Sequence, residues 1–96
     1  MRNICPSPKT QQLDWVDRGG TFHGHHQWEA ITGTGRYTAG PTFTGPSFEF
    51  VGYHASHHVD GKFRHIKDSL ATAEQAKAVA QRDYDLANRG WPEWAR

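Results

Sequence analysis

The segment from Thr72 to Gly90, TAEQAKAVAQRDYDLANRG, constrains the fold more than any other, because it reads as one amphipathic helix with both ends specified. Thr72 and Gln75 have capping-box spacing, in which the hydroxyl accepts an early backbone N–H and the amide reaches back toward the cap. Gly90 suits the left-handed position past the last turn, Trp91 is placed to fold back on Leu86, and Pro92 bars continuation. At about 100° per residue, Ala73, Ala76, Ala80, Tyr84 and Ala87 form one narrow stripe flanked by Val79 and Leu86. Alanines bury little area each but let a helix axis lie close to its neighbour. The helix is therefore expected as a lid on a sheet, with Tyr84 as its large anchor.

The sheet must come from the residues before it. Leu13 to Val16 begins a first strand, which Arg18-Gly19-Gly20 breaks; Gln27 to Thr32 alternates as a second. Gly33-Thr34-Gly35 is a tight-turn signal leading to a strand at Arg36–Ala39, and Gly40-Pro41 through Gly45-Pro46 reads as a loop around Phe43. Phe48 to His54 is the strongest strand, with Phe48 and Phe50 on one side and Val51 and Tyr53 on the other. Asp60-Gly61 turns the chain into a short last strand at Lys62–Ile66. Short connections favour an antiparallel meander, so the expected fold is α+β, a four- to five-stranded antiparallel sheet with one C-terminal helix on one face. Residues 1–12 are expected as a flexible tail, 13–90 as the single domain, and 91–96 as a C-terminal tail.

Charge and cysteine content narrow the setting. The formal net charge is +1, so no global field draws the chain to nucleic acid or an anionic membrane. The one cysteine, Cys5, closes no internal disulfide, which suits a reducing compartment. The sequence contains neither a signal-peptide core nor an apolar run long enough to span a bilayer, and a cytoplasmic protein is expected.

The run from Trp28 and Ala30 to Gly35-Arg36-Tyr37-Thr38, then Phe48 to Tyr53, Gly61-Lys62-Phe63 and the helix from Thr72 to Tyr84, resembles small proteins of tailed phages and prophages. Those end in a similar helix of the form T-x-E-E-A-K-x-x-A-Q-x-D-Y after a few strands. The resemblance covers roughly residues 13–89 and implies an accessory protein of the host-cell cytoplasm. As a phage product it would act on a host or phage protein, for instance as an inhibitor of a host defence system of the anti-CRISPR kind. The histidine-rich stretches and the long glycine-proline loop depart from that pattern.

Seven histidines is a high count for this length, and six fall in two clusters, FHGHHQWE and YHASHHVD. With 23–29 extended, His23 and His25 project from one face, and a second strand carrying His54 or His58 completes a zinc or iron site. The simpler expectation is that both clusters are solvated in polar loops or turns. No nucleophile motif or phosphate-binding glycine loop occurs and Cys5 lies in the expected tail, so no enzymatic activity is expected.

Two binding classes are left. Phe50-Val51-Gly52-Tyr53 beside Lys62-Phe63-Arg64-His65 offers aromatic and basic side chains on adjacent strands, as a nucleic-acid-binding sheet does, although the element order is not that of an RRM. There Phe50 and Phe63 are expected beneath the helix, and Lys62 and Arg64 on a solvated strand edge. Protein binding is the leading expectation, because a single helix covers one sheet face only. An uncovered face bearing Tyr53 and Val51, with Arg64 nearby, or the tail residue Trp94, is then available to a protein partner or a second copy of the chain.

Overall fold

The computed structural model describes residues 12–20, 24–33 and 35–96. The expected N-terminal tail, apart from Gln12, lies outside the described residues, as does His23. The chain forms β1 (Val16–Gly20), β2 (His26–Ile31), β3 (Gly35–Thr44), β4 (Glu49–Val59), β5 (Lys62–Leu70) and α1 (Ala73–Asn88), then a short 3-10 turn at Glu93–Ala95. The strands make one antiparallel sheet in the order β1-β2-β3-β4-β5, and α1 packs across β3, β4 and β5. This is the α+β meander with one C-terminal helix that the sequence predicts. No helix among the described residues is long and apolar enough to cross a membrane.

Both helix ends form as their residues dictate. Thr72 is extended and its hydroxyl accepts the Gln75 N–H at 3.1 Å. The Gln75 side chain reaches one residue further back than a capping box requires, accepting the Ala71 N–H at 2.8 Å. At the other end Gly90 has φ 88°, its N–H donates to the Ala87 carbonyl, and the Trp91 N–H donates to the Leu86 carbonyl, each at 3.0 Å; this is the Schellman arrangement.

The buried stripe of α1 is Ala73, Ala76, Ala80 and Asp83, which places an acid where the sequence suggests Tyr84. Tyr84 flanks it, edge-on to Tyr37 with ring centroids 6.0 Å apart. Beneath the stripe lie Ala30, Tyr37, Ala39 and Ala55, with Leu13 at the margin. The core is thin. Among the described residues Tyr37 is the one bulky side chain that is fully buried.

Three segments differ from expectation for identifiable reasons. The glycines at 19 and 20 remain inside β1, an edge strand whose register shifts between Asp17 and Gly20. Gly40-Pro41 is not a loop, because β3 continues to Thr44. Pairing between β2 and β3 stops at Trp28↔Ala39, so Pro41, which lacks an N–H, removes no bond from that ladder. Likewise β4 runs on to Val59 and takes His54, His57 and His58 into the sheet rather than a loop.

The β4–β5 hairpin turn behaves as turn chemistry predicts. Asp60 and Gly61 both have positive φ, 52° and 75°, in the two-residue connection between the paired Val59 and Lys62. At the start of β3, a Cβ on Gly35 would fall 1.9 Å from the His58 carbonyl oxygen, so only glycine allows that approach of β3 to β4.

Candidate protein interface

Strand alternation sorts the sheet residues into two faces. Trp28, Ala30, Tyr37, Ala39, Tyr53, Ala55 and His57 share the face under α1, by the registers Ala30↔Tyr37↔His57 and Trp28↔Ala39↔Ala55 and by the continuing pair Pro41↔Tyr53. The opposite, open face is covered by no element among the described residues. Across it run the rows Ile31↔Arg36↔His58↔Phe63 and Val16↔Glu29↔Thr38↔Ser56↔His65.

The open face is paved rather than solvated. Ser56, 1% exposed, lies between His54 and His58 on β4, and the His54 and His65 rings are near parallel with centroids 6.2 Å apart. Thr42 Oγ1 lies 3.1 Å from His54 Nδ1, and the Phe63 ring meets the His58 ring edge-on at 4.9 Å. Burial, and then the neighbouring His65, hold the His54 imidazole below the ordinary histidine value, so it is neutral near pH 7.

Large apolar side chains stand out on this face. Ile31 is 63% exposed, Phe63 58% and Val16 45%. Among them Glu29 is shared by two cations, its Oε1 receiving Arg18 Nε and its Oε2 receiving Arg36 Nε, both at 3.1 Å, so the trio keeps one net positive charge. At the hairpin end the face sinks into a depression of about 360 Å³ lined by Ile31, Gly35, Arg36, His58, Val59, Asp60 and Gly61. His58 Nδ1 is buried there with no hydrogen-bond partner among the described residues. A buried polar atom left so is costly, and a group arriving from outside can satisfy it.

The face under α1 carries a polar cluster that the sequence does not announce. Asp83, 4% exposed, accepts the Tyr37 hydroxyl at 2.7 Å and the Arg64 guanidinium on Oδ2, and Arg96 Nε at 3.1 Å on Oδ1. Burial alone would raise its carboxyl, but the hydrogen bonds from Arg64, Tyr37 and Arg96 outweigh that and hold it below the ordinary value of 3.8. Tyr37, pushed up by burial and by its bond to Asp83, stays protonated. The His57 ring stacks on Tyr37 with centroids 4.1 Å apart, and Arg64 lies 3.3 Å from its Nδ1. Burial first, then the Arg64 charge, lower the His57 imidazole below 6.5.

A pH dependence follows. His54 and His57 take up protons more readily in the unfolded chain, so stability is full above the ordinary histidine value of 6.5 and declines as pH falls below it. Asp83 adds a second loss only below its ordinary 3.8, as pH falls through its lowered folded value. Melting temperatures recorded from about pH 8 to about pH 3 are expected to fall in these two separate stages. His57→Gln should flatten the first stage. A melt independent of pH between about 7 and about 5 would contradict the assignment.

The residues singled out from sequence are dispersed by this geometry. Tyr53 lies on the helix side, half-buried, with its hydroxyl 3.3 Å from His25 Nδ1, and not on the uncovered face where its alternation with Phe50 suggests it. The register shift between Thr42 and Phe43 pairs Phe43 with Phe50, so an extra residue enters at the Val51–Gly52 step and the alternation predicted from Phe48 is interrupted. Val51 is exposed. Arg64 is no solvated edge cation: it is engaged with Asp83, and its Nε lies 2.8 Å from Glu93 Oε2. Phe63, expected as core, belongs to the open face.

Residues 91–96 do not form a free tail, since Arg96 bonds to Asp83 and to the Trp91 carbonyl, although Trp94 remains 88% exposed. His25 stacks on Phe50 at 3.9 Å on the helix side, whereas His54 and His58 belong to the open face. The sheet itself therefore separates His25 from the two strand histidines. Among the described residues no group of three or more His, Cys, Asp and Glu is arranged to hold a metal ion. No family model, curated protein or solved structure matches the chain.

Proposed function

We propose that the protein acts by binding another protein through the open face of its sheet, with Ile31, Phe63 and Val16 as the apolar contacts and His58 as a polar one. The observation that carries this is that three large exposed apolar side chains stand on one face that no other described element covers. Interface cores are enriched in aromatic and large apolar residues, which Phe63, Ile31 and Val16 supply here. A nucleic-acid strand requires several cations free to meet phosphates, whereas Arg18 and Arg36 share Glu29 and leave a single net positive charge, and Arg64 is bound to Asp83. The phage accessory role implied by the helix motif, inhibition of a host defence included, is one setting for such a surface.

The test is site-specific photo-crosslinking in cells. A photoreactive amino acid at position 63 or 31 is expected to give a protein adduct that survives nuclease digestion, and the same probe at the exposed position 78 none. Adducts only from positions 78 or 94, or adducts removed by nuclease, would overturn the proposal.

A further inference from the structure

We propose that the depression between α1 and β5 binds a small organic acid, a carboxylate carried on an apolar body. It lies on the helix side of the sheet and stands apart from the open face. Three observations define the site and its ligand.

The first is how two elements converge on it. Regular alternation would send Ile66 and Lys67 to opposite faces of β5. Lys67 pairs with Ala55 and His65 with Ser56, so the register shift there inserts Ile66 as an extra residue, and both Ile66 and Lys67 line a depression of about 200 Å³. From α1 come Val79, Arg82, Asp83 and Leu86, whose i, i+3, i+4, i+7 spacing puts them on one flank of the helix. Ile66, Val79 and Leu86 form the apolar part, against which the body of a ligand is withdrawn from water. The volume is below the roughly 300–1,000 Å³ of sites for drug-sized ligands, which limits the occupant to a small molecule.

The second is charge. Lys67 and Arg82 line the same depression, and their side chains make no hydrogen bond or ion pair among the described residues. Asp83 does not answer them, because Tyr37 and Arg64 occupy its Oδ2 and Arg96 its Oδ1. Residues 1–11, 21–23 and 34, the rest of the chain, include Arg2 and Lys9 but no Asp or Glu. The anion therefore comes from outside the chain. Arginine offers a carboxylate two parallel N–H donors, and Lys67 adds a further charge-assisted contact.

The third is rigidity. Through Asp83, α1 is tied to Tyr37 on β3, Arg64 on β5 and Arg96 in the C-terminal segment. The helix wall is thus held before any ligand arrives, and binding loses little entropy in ordering it.

The experiment is a titration of the isotope-labelled full chain with phenylacetate, phenylacetamide and acetate, followed through backbone amide shifts by NMR. Phenylacetate is expected to give saturable shifts at Ile66, Lys67, Val79, Arg82 and Leu86, with Ile31 and Phe63 unmoved. Phenylacetamide lacks the charge and acetate lacks the apolar body, so each should bind at least about tenfold more weakly. Lys67→Gln and Arg82→Gln, both at exposed positions, should keep the wild-type melt and lower the phenylacetate affinity about tenfold. Absence of saturable phenylacetate shifts, equal binding of the amide or of acetate, or wild-type affinity in both variants overturns the proposal.

Discussion

Asp83→Ala is expected to destabilise the fold by about 3–5 kcal/mol, because it leaves two arginine side chains and a buried phenol without their shared acceptor. The Arg64 and Arg96 side chains are only 20% and 11% exposed, so water cannot replace the carboxylate at little cost. For a domain of this size such a loss is a large fraction of total stability and lowers the melting temperature by more than about 12 °C. Asp83→Asn keeps an acceptor for Tyr37 but removes the charge, and should fall between the wild type and Asp83→Ala. Replacing Asp83, Arg64 and Arg96 together by apolar residues should recover much of the loss, since the penalty belongs to the unpaired charges and not to the pair as such. Calorimetry of the three variants decides it, and an Asp83→Ala melt within a few degrees of wild type would remove the cluster from the supports of the fold. The same geometry changes the meaning of Arg64→Ala, which now reports on folding before it reports on any ligand.

Ala80→Leu should cost about 1–3 kcal/mol, and Ala78→Leu close to nothing. Ala80 is wholly buried where α1 meets the sheet, and the added isobutyl group has no volume to enter unless the helix moves away from β3 and β4. Ala78 is exposed, and leucine there keeps the helix propensity nearly unchanged. The pair shares one chemical change and one helix, so the difference between their melting temperatures isolates packing. Equal melts would show that the face assignment of α1 is wrong.

The helix was legible because local chemistry determines it: the Thr72 cap, the Gly90 turn and the alanine stripe act within a few residues of one another. The fold class was legible for a related reason, since short turn-rich connections leave an antiparallel meander as the simplest path. What was not legible depends on contacts distant in sequence. Asp83 sits at the helical spacing of the stripe, but an acid there reads as solvent-facing until Arg64 and Arg96 are brought to it from β5 and the C-terminal segment. The His-Ala-Ser-His-His run reads as a polar loop because histidine gives no hydrophobic period. Its alternation becomes visible only once Ala55 and His57 are seen under α1 and His54, Ser56 and His58 on the other face. Pro41 masked the length of β3 because a proline forbids only one ladder bond, and sequence alone does not say that the neighbouring strand has already parted. The open face was anticipated as a consequence of having one helix, but its residues were misplaced because the register shift near Val51 broke the period used to place them.

The agreement between sheet order and chain order governs how the molecule assembles. Every strand pairs with its immediate neighbour in sequence, so no long loop must close before a contact is gained, and the entropic barrier to the first pairings is low. The β3–β4 hairpin, paired from Gly35↔Val59 to Thr44↔Glu49, is the natural nucleus, and β5 then adds on and delivers α1 across all three strands. β1 stands apart from this sequence of events. It is five residues long, its register is interrupted, and among the described residues only β2 flanks it, so it zips last and opens first, giving the sheet a frayed margin beside an otherwise cooperative unit.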